Sequence, residues 1–328
     1  MRLPARSRVA SSVLVPVLLL VTACAHLPER SPLPPEHIDD AEVLGIPWVR
    51  MWGDAAPPWE HDWFEKSRSE IKERYSGIYG RRHTYLAISG GGENGAFAAG
   101  LLLGWTASGD RPEFTAVTGI SAGALVAPFA FLGPEYDDVL KSVSSELKPD
   151  DVYKKRGMIR ALRTDGLATT EPLQALIAKH VDEEVMEKIA AAHREGRTLN
   201  IGTANLDSMR PVIWRIGAIA NSGHPDALEL IRDIQWASAS IPVGIPPVMI
   251  ESEAGGKTYD EMHVDGGVTM QVFLYPLGID WARLEQRLDL PSKPKIYVIR
   301  NGYLDPRWKT IDRKLVPIAG RTIGSLIR

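Results

Sequence analysis

Beyond residue 80 the chain alternates short apolar or β-branched runs with stretches of helical periodicity, and this alternation confines it to a layered α/β fold. The expected strands are Thr84–Ser89, Phe114–Thr118, Leu199–Asn205, Val212–Ile216, Met262–Val264 and Lys295–Arg300. The expected helices are Asn94–Thr106, Ala122–Leu132, Glu135–Leu147, Glu171–His180, Glu183–Glu195 and Ala227–Ala237, with Thr170 as a hydroxyl N-cap ahead of Pro172. A stretch of roughly 250 residues fits one domain, assigned to 81–328. Its last segment, Pro317–Arg328, reads as a helix that stops before its packing face is complete, the pattern of a truncated chain.

The amino terminus has a different character. Arg2, Arg6 and Arg8 precede an acid-free apolar stretch from Val9 to Ala23, too short to span a bilayer and typical of an export signal over residues 1–23. Leu20-Val21-Thr22-Ala23-Cys24 resembles a bacterial lipobox, which implies a lipid anchor on Cys24 and a place in the cell envelope, facing the periplasm. Residues 24–80 read as a spacer, since Pro28, Pro32, Pro34, Pro35, Pro47, Pro57 and Pro58 disfavour regular structure. Trp48, Trp52, Trp59 and Trp63 crowd this segment; they are expected to fold back onto the domain, the alternative being a lipid interface. With 44% hydrophobic and 24% charged residues the chain is globular, neither disordered nor polytopic. Its single cysteine forbids an internal disulfide and speaks against a zinc or iron–sulfur site, so no cofactor or metal is expected. Without residues 1–24 the net charge moves from −3 to −6, which disfavours nucleic acid as a partner.

Two glycine-rich turns carry the chemistry. Gly90-Gly91-Gly92-Glu93-Asn94-Gly95 lies between an expected strand and an expected helix. Taken literally it matches a dinucleotide fingerprint with Asp110 as the ribose partner, yet the same nest of backbone N–H groups binds any anion, the oxyanion of acyl transfer included. Gly119-Ile120-Ser121-Ala122-Gly123 has the strand–turn–helix setting of a nucleophile elbow. The glycines make room for a strained serine, and the N–H of Ala122 points toward the same oxyanion. Of the eight histidines, none follows the serine with an acid placed to orient it; His180 and His193 read as solvated helix ends, and His263 as a strand neighbour of Asp265. Asp265-Gly266-Gly267 places an acid at a strand end, where it can serve as the base directly if its site is dry enough to raise its proton affinity.

In this order the glycine loop, the elbow and the Asp-Gly-Gly turn resemble the patatin-like phospholipases over about residues 83–300, and Ala237-Ser238-Ala239-Ser240-Ile241-Pro242 through Pro246-Pro247 resembles the segment that closes their site. The resemblance implies a three-layer α/β/α fold around a central mixed, mostly parallel sheet. It also implies a Ser121–Asp265 dyad without histidine, an oxyanion hole from Gly91, Gly92 and Ala122, and hydrolysis of phospholipid or other acyl esters. One departure is visible: Asn94 stands where the family loop usually carries Arg or Lys, so a hydrogen-bond donor replaces a charge. A lipid-binding envelope protein without catalysis and a dinucleotide-dependent oxidoreductase are the rival readings.

Overall fold

The computed structural model describes residues 29–146, 154–155, 166–306 and 308–326. Cys24 and the residues read as an export signal lie outside the described residues. In chain order the strands are β1 (Arg50–Trp52), β2 (Thr84–Ile88), β3 (Ala116–Ile120), β4 (Lys154–Lys155), β5 (Ala168–Thr169), β6 (Thr198–Asn205), β7 (Arg210–Arg215), β8 (Val248–Ala254), β9 (Lys257–Asp265) and β10 (Lys295–Ile299). The helices are α1 (Glu60–Glu65), α2 (Arg68–Arg74), α3 (Gly95–Ala107), α4 (Ala122–Leu132), α5 (Asp137–Glu146), α6 (Glu171–His180), α7 (Glu183–Arg194), α8 (Ile216–Ala220), α9 (Ala227–Ser238), α10 (Trp281–Arg287) and α11 (Leu315–Leu326). Among the described residues no helix is long and apolar enough to cross a membrane.

Eight strands form one mixed sheet in the order β1-β7-β6-β3-β2-β10, with β9 joining β6 and β8 joining β9. Strands β6, β3 and β2 run parallel at its centre, and β10 continues them in parallel at the edge. Strands β2 and β3 are buried on both faces, as strands covered on both sides must be, whereas Ile296 and Val298 of β10 are exposed. Leu86, Ile88, Val117, Leu199, Ile201 and Trp214 face a core shared with α3 to α9. On the opposite face Tyr85 packs edge-on against Tyr275, which makes the third layer together with α1, α2 and α10 around Trp63, Phe64, Ile71 and Leu284. The expected α/β/α architecture is therefore present.

The register around β6 decides where the chemistry sits. On one edge of β6, β3 pairs as far as Ile120 opposite Gly202, and the very next position, Thr203, pairs with Asp265 of β9. Strand β6 thus hands its edge from a parallel strand to an antiparallel one. The carboxyl ends of β3 and β9 meet head-on, bringing residue 121 beside residue 265 although 144 residues separate them in the chain.

The amino-terminal segment corrects one expectation. Residues 29–80 are not an irregular spacer: they supply β1, α1 and α2, and Ser67 opens α2 with a capping box to Glu70. Strand β1 extends the sheet by pairing Arg50, Met51 and Trp52 with Trp214, Ile213 and Val212. The Arg50 guanidinium then reaches the buried Glu261 carboxylate at 3.1 Å, and Arg30 bridges Asp207 and Asp260 at 2.6 and 2.8 Å. Trp63 is buried, Trp52 and Trp59 are half-buried and Trp48 is exposed, so the indoles fold back onto the domain to different degrees. At α6, Thr170 occupies the N-cap position, but its hydroxyl makes no cap bond.

Candidate active site

Strand β3 runs straight into Ile120 and α4 starts at Ala122, which leaves a single residue to make the turn. Ser121 does so at φ +56° and ψ −127°, a backbone region almost reserved to glycine that costs on the order of 1–3 kcal/mol elsewhere. Such a turn leaves no room for a β-carbon two residues to either side. A β-carbon on Gly119 would lie 2.5 Å from the Gly123 carbonyl oxygen, and one on Gly123 would lie 2.5 Å from that of Ile88. The result is an elbow with the serine at its tip and 5% exposed.

The Ser121 hydroxyl donates to Asp265 Oδ2 at 2.6 Å, and Asp265 is completely buried. Its other oxygen, Oδ1, accepts from the Gly267 N–H at 2.8 Å, inside the turn that Gly266 and Gly267 make after β9. Burial pushes the Asp265 carboxyl up to about 6, against the lowering effect of these two hydrogen bonds. His263 shares its strand face but points into a different network: Nδ1 meets Thr203 Oγ1 at 3.0 Å, Thr203 accepts from the Trp214 indole, and burial lowers the histidine's proton affinity. Neither Ser121 nor Asp265 hydrogen-bonds to it. His193, expected at a solvated helix end, is buried under α2 instead, because Arg74 and Gly217 close over it.

The glycine loop lies directly over the elbow. A β-carbon on Gly90 would sit 3.0 Å from that of Ser121, and one on Gly91 would collide with Asn301 at 2.5 Å. Gly92 adopts φ +56° with open space around it, and Gly95 starts α3. Ala122, as the first residue of α4, has no acceptor for its N–H within its helix. Asn94 accepts a hydrogen bond from the Tyr303 hydroxyl at 3.1 Å. Asp110 lies exposed beyond the far end of α3, about 20 Å of helix from the loop, which removes it as a ribose partner for Gly90–Gly95.

Two residues without a role in the sequence reading hold this arrangement. Ser238, at the end of α9, accepts the Ser121 N–H at 2.9 Å and donates to the Gly202 carbonyl at 2.7 Å, pinning the elbow to β6. Asn301, just past β10, is buried and braces the loop from three sides. Its N–H donates to Ser89 Oγ, its amide to the Ser89 carbonyl, and its Oδ1 accepts from the Ala98 N–H. Ser238 fell within the Ala-Ser segment already singled out, whereas no local signal marks Asn301.

The family model described as patatin-like phospholipase matches residues 86–277, a span that holds the glycine loop, Ser121, Ser238 and Asp265 but not β1 or Asn301. Among solved structures, the chain is similar to VipD from Legionella pneumophila, with 14% identity over 67% of this chain and 50% of that one and a TM-score of 0.37. It is also similar to ExoU from the type III secretion system of Pseudomonas aeruginosa, in complex with SpcU, with 21% identity over 51% of this chain and 40% of that one and a TM-score of 0.30. The chain thus spans half or less of the length of these two proteins. No curated protein matches.

Proposed function

The chain belongs to the patatin-like phospholipase family, and we propose that it is a lipid acyl hydrolase working through Ser121 and Asp265. The observation that carries this reading is the 2.6 Å hydrogen bond from a strained elbow serine to a wholly buried carboxylate. In the first step Ser121 Oγ attacks the ester carbonyl and its proton passes to Asp265 Oδ2. The tetrahedral oxyanion forms against the N–H groups of Gly91, Gly92 and Ala122, and its collapse expels the alcohol, which takes the proton from Asp265. In the second step Asp265 takes a proton from water, hydroxide adds to the acyl group, and the fatty acid leaves as Ser121 recovers its proton. Dryness is what makes an aspartate adequate here: a solvated carboxylate near pH 4 is a weak acceptor, and burial brings this one closer to neutrality.

Fatty-acid release from defined phospholipid vesicles is the direct test. The wild type is expected to turn over and to be labelled by a fluorophosphonate, while Ser121→Ala and Asp265→Asn lose at least about 10³-fold in kcat. Retained lipid binding with equal, background hydrolysis in all three proteins favours the non-catalytic lipid-binding reading instead. We further propose that Cys24 carries the lipid anchor and holds the domain in the envelope. Cys24→Ala is expected to shift the protein from the membrane fraction to the soluble fraction with specific activity on soluble esters unchanged; an unmoved protein refutes the anchor.

A further inference from the structure

The face of the sheet opposite the main core holds a cavity of about 280 Å³, just below the usual range of ligand sites. It lies between the sheet and the layer of α1, α2 and α10. Its floor is made by residues at the amino ends of the parallel strands, Tyr85, Thr115 and Asn200 among them. Ser121 stands at the other end of β3, about 20 Å away by strand rise, so this space is separate from the elbow.

The cavity combines two properties. Its walls are aromatic, with Trp59, Trp63, Tyr75 and Tyr275 lining it. At its side two guanidinium groups, Arg74 and Arg215, converge. Neither has a carboxylate within 4 Å among the described residues. Arg215 reaches the Trp48 carbonyl at 3.4 Å and lies over the Trp59 ring at 5.6 Å. Arg74 donates to the backbone carbonyls of His193 and Arg194 and meets His193 Nε2 at 3.3 Å. The resulting positive field is felt by His193, whose proton affinity falls to about 4 through burial, reinforced by the charges of Arg215 and Arg74. The one carboxylate on the lining among the described residues, Asp62, is exposed and shares the wall with Lys66. Arg215 is half-buried and Arg74 exposed, and a partly desolvated cation without a counter-ion gains when an anion arrives.

We infer that this cavity is a second binding site, distinct from the elbow, for an amphiphile with a carboxylate head: the head lies on Arg215 and Arg74, and the chain lies among Trp59, Trp63 and Tyr275. Fatty acids are the class that fits, with one planar anion suited to guanidinium forks and an apolar tail suited to indole walls. The site does not depend on catalysis at Ser121, so the test uses Ser121→Ala protein throughout and its outcome is independent of the hydrolase reading.

Dibromostearate is the probe, because bromine quenches tryptophan fluorescence on contact and the indoles of Trp59 and Trp63 line the cavity. Saturable quenching below the micelle concentration is expected. Arg215→Met should weaken it about tenfold or more, the usual effect of removing a charged hydrogen-bond donor from a buried anion. Because Arg215 is close to the core, Arg74→Met on the exposed flank of α2 serves as the second variant, and it too should raise Kd. Dibromostearyl alcohol, which has the same tail without the charge, should bind at least tenfold more weakly. An unsaturable signal, unchanged affinity in Arg74→Met, or equal binding of the alcohol would overturn the site.

Discussion

At the scale of single residues the proposed chemistry rests on Asp265. Its carboxyl titrates near 6 in the folded protein against an ordinary value of 3.8, and it acts as a base only when ionised. Hydrolysis should therefore rise with pH through about 6 and level off above it. At pH 5 the rate should be about one tenth of the plateau, as a pH profile of kcat/KM on a soluble ester will check. The same shift has a stability consequence with the opposite sense. Between about pH 4 and pH 6 the unfolded chain gives up this proton while the folded chain keeps it, so raising the pH through that window removes stability, in total about 3 kcal/mol for a two-unit shift. Asp265→Asn is then expected to be inactive and yet to melt higher than the wild type at pH 8, with the difference shrinking toward pH 4. A melting-temperature series that shows no pH-dependent gap sinks this account of Asp265.

At the scale of elements, what matters is the way β6 exchanges one neighbour for another and α9 fastens the elbow to it. Ser238→Ala removes the acceptor of the Ser121 N–H and leaves that group buried, a loss of about 1–3 kcal/mol. As a positioning residue it should lower kcat while KM stays within about twofold, and steady-state kinetics separates that from a general loss of fold, which would leave kcat per folded molecule unchanged. This scale also explains what could be read in advance. The elbow and the glycine loop were legible because each is complete within six residues and sits between elements whose periodicity is clear. Asp265 was legible through its glycines. Asn301 was not, since its three hydrogen bonds, two to Ser89 and one from Ala98, depend on the pairing of β10 with β2, and nothing beside it in sequence betrays that. Strand β8 escaped for a different reason. It alternates strictly between buried and exposed positions, but Met249 faces out and Ser252 faces in, which blurs the hydropathic contrast that marks a strand. Strand β1 is three residues long among prolines, too short for any period to show.

At the scale of the whole molecule, the amino-terminal segment belongs to the folded body. Arg50 and Glu261 are both almost fully buried, and the carboxylate also accepts from Asn205 at 2.8 Å. Arg50→Met strands a charge inside the protein and should cost about 3–5 kcal/mol in chemical denaturation, whereas a surface pair such as Lys141–Asp138 should cost less than about 1 kcal/mol when broken. Strand β1 adds a consequence that concerns time. Residue 50 finds its sheet partner only at residue 214, so in a chain emerging from the ribosome Trp52 has no strand to pair with until β7 has been made, and Trp63 lacks Ile279 and Leu284 for longer still. The edge synthesised first must wait for most of the sheet before it is paired, and that interval is when a nascent copy most needs a chaperone.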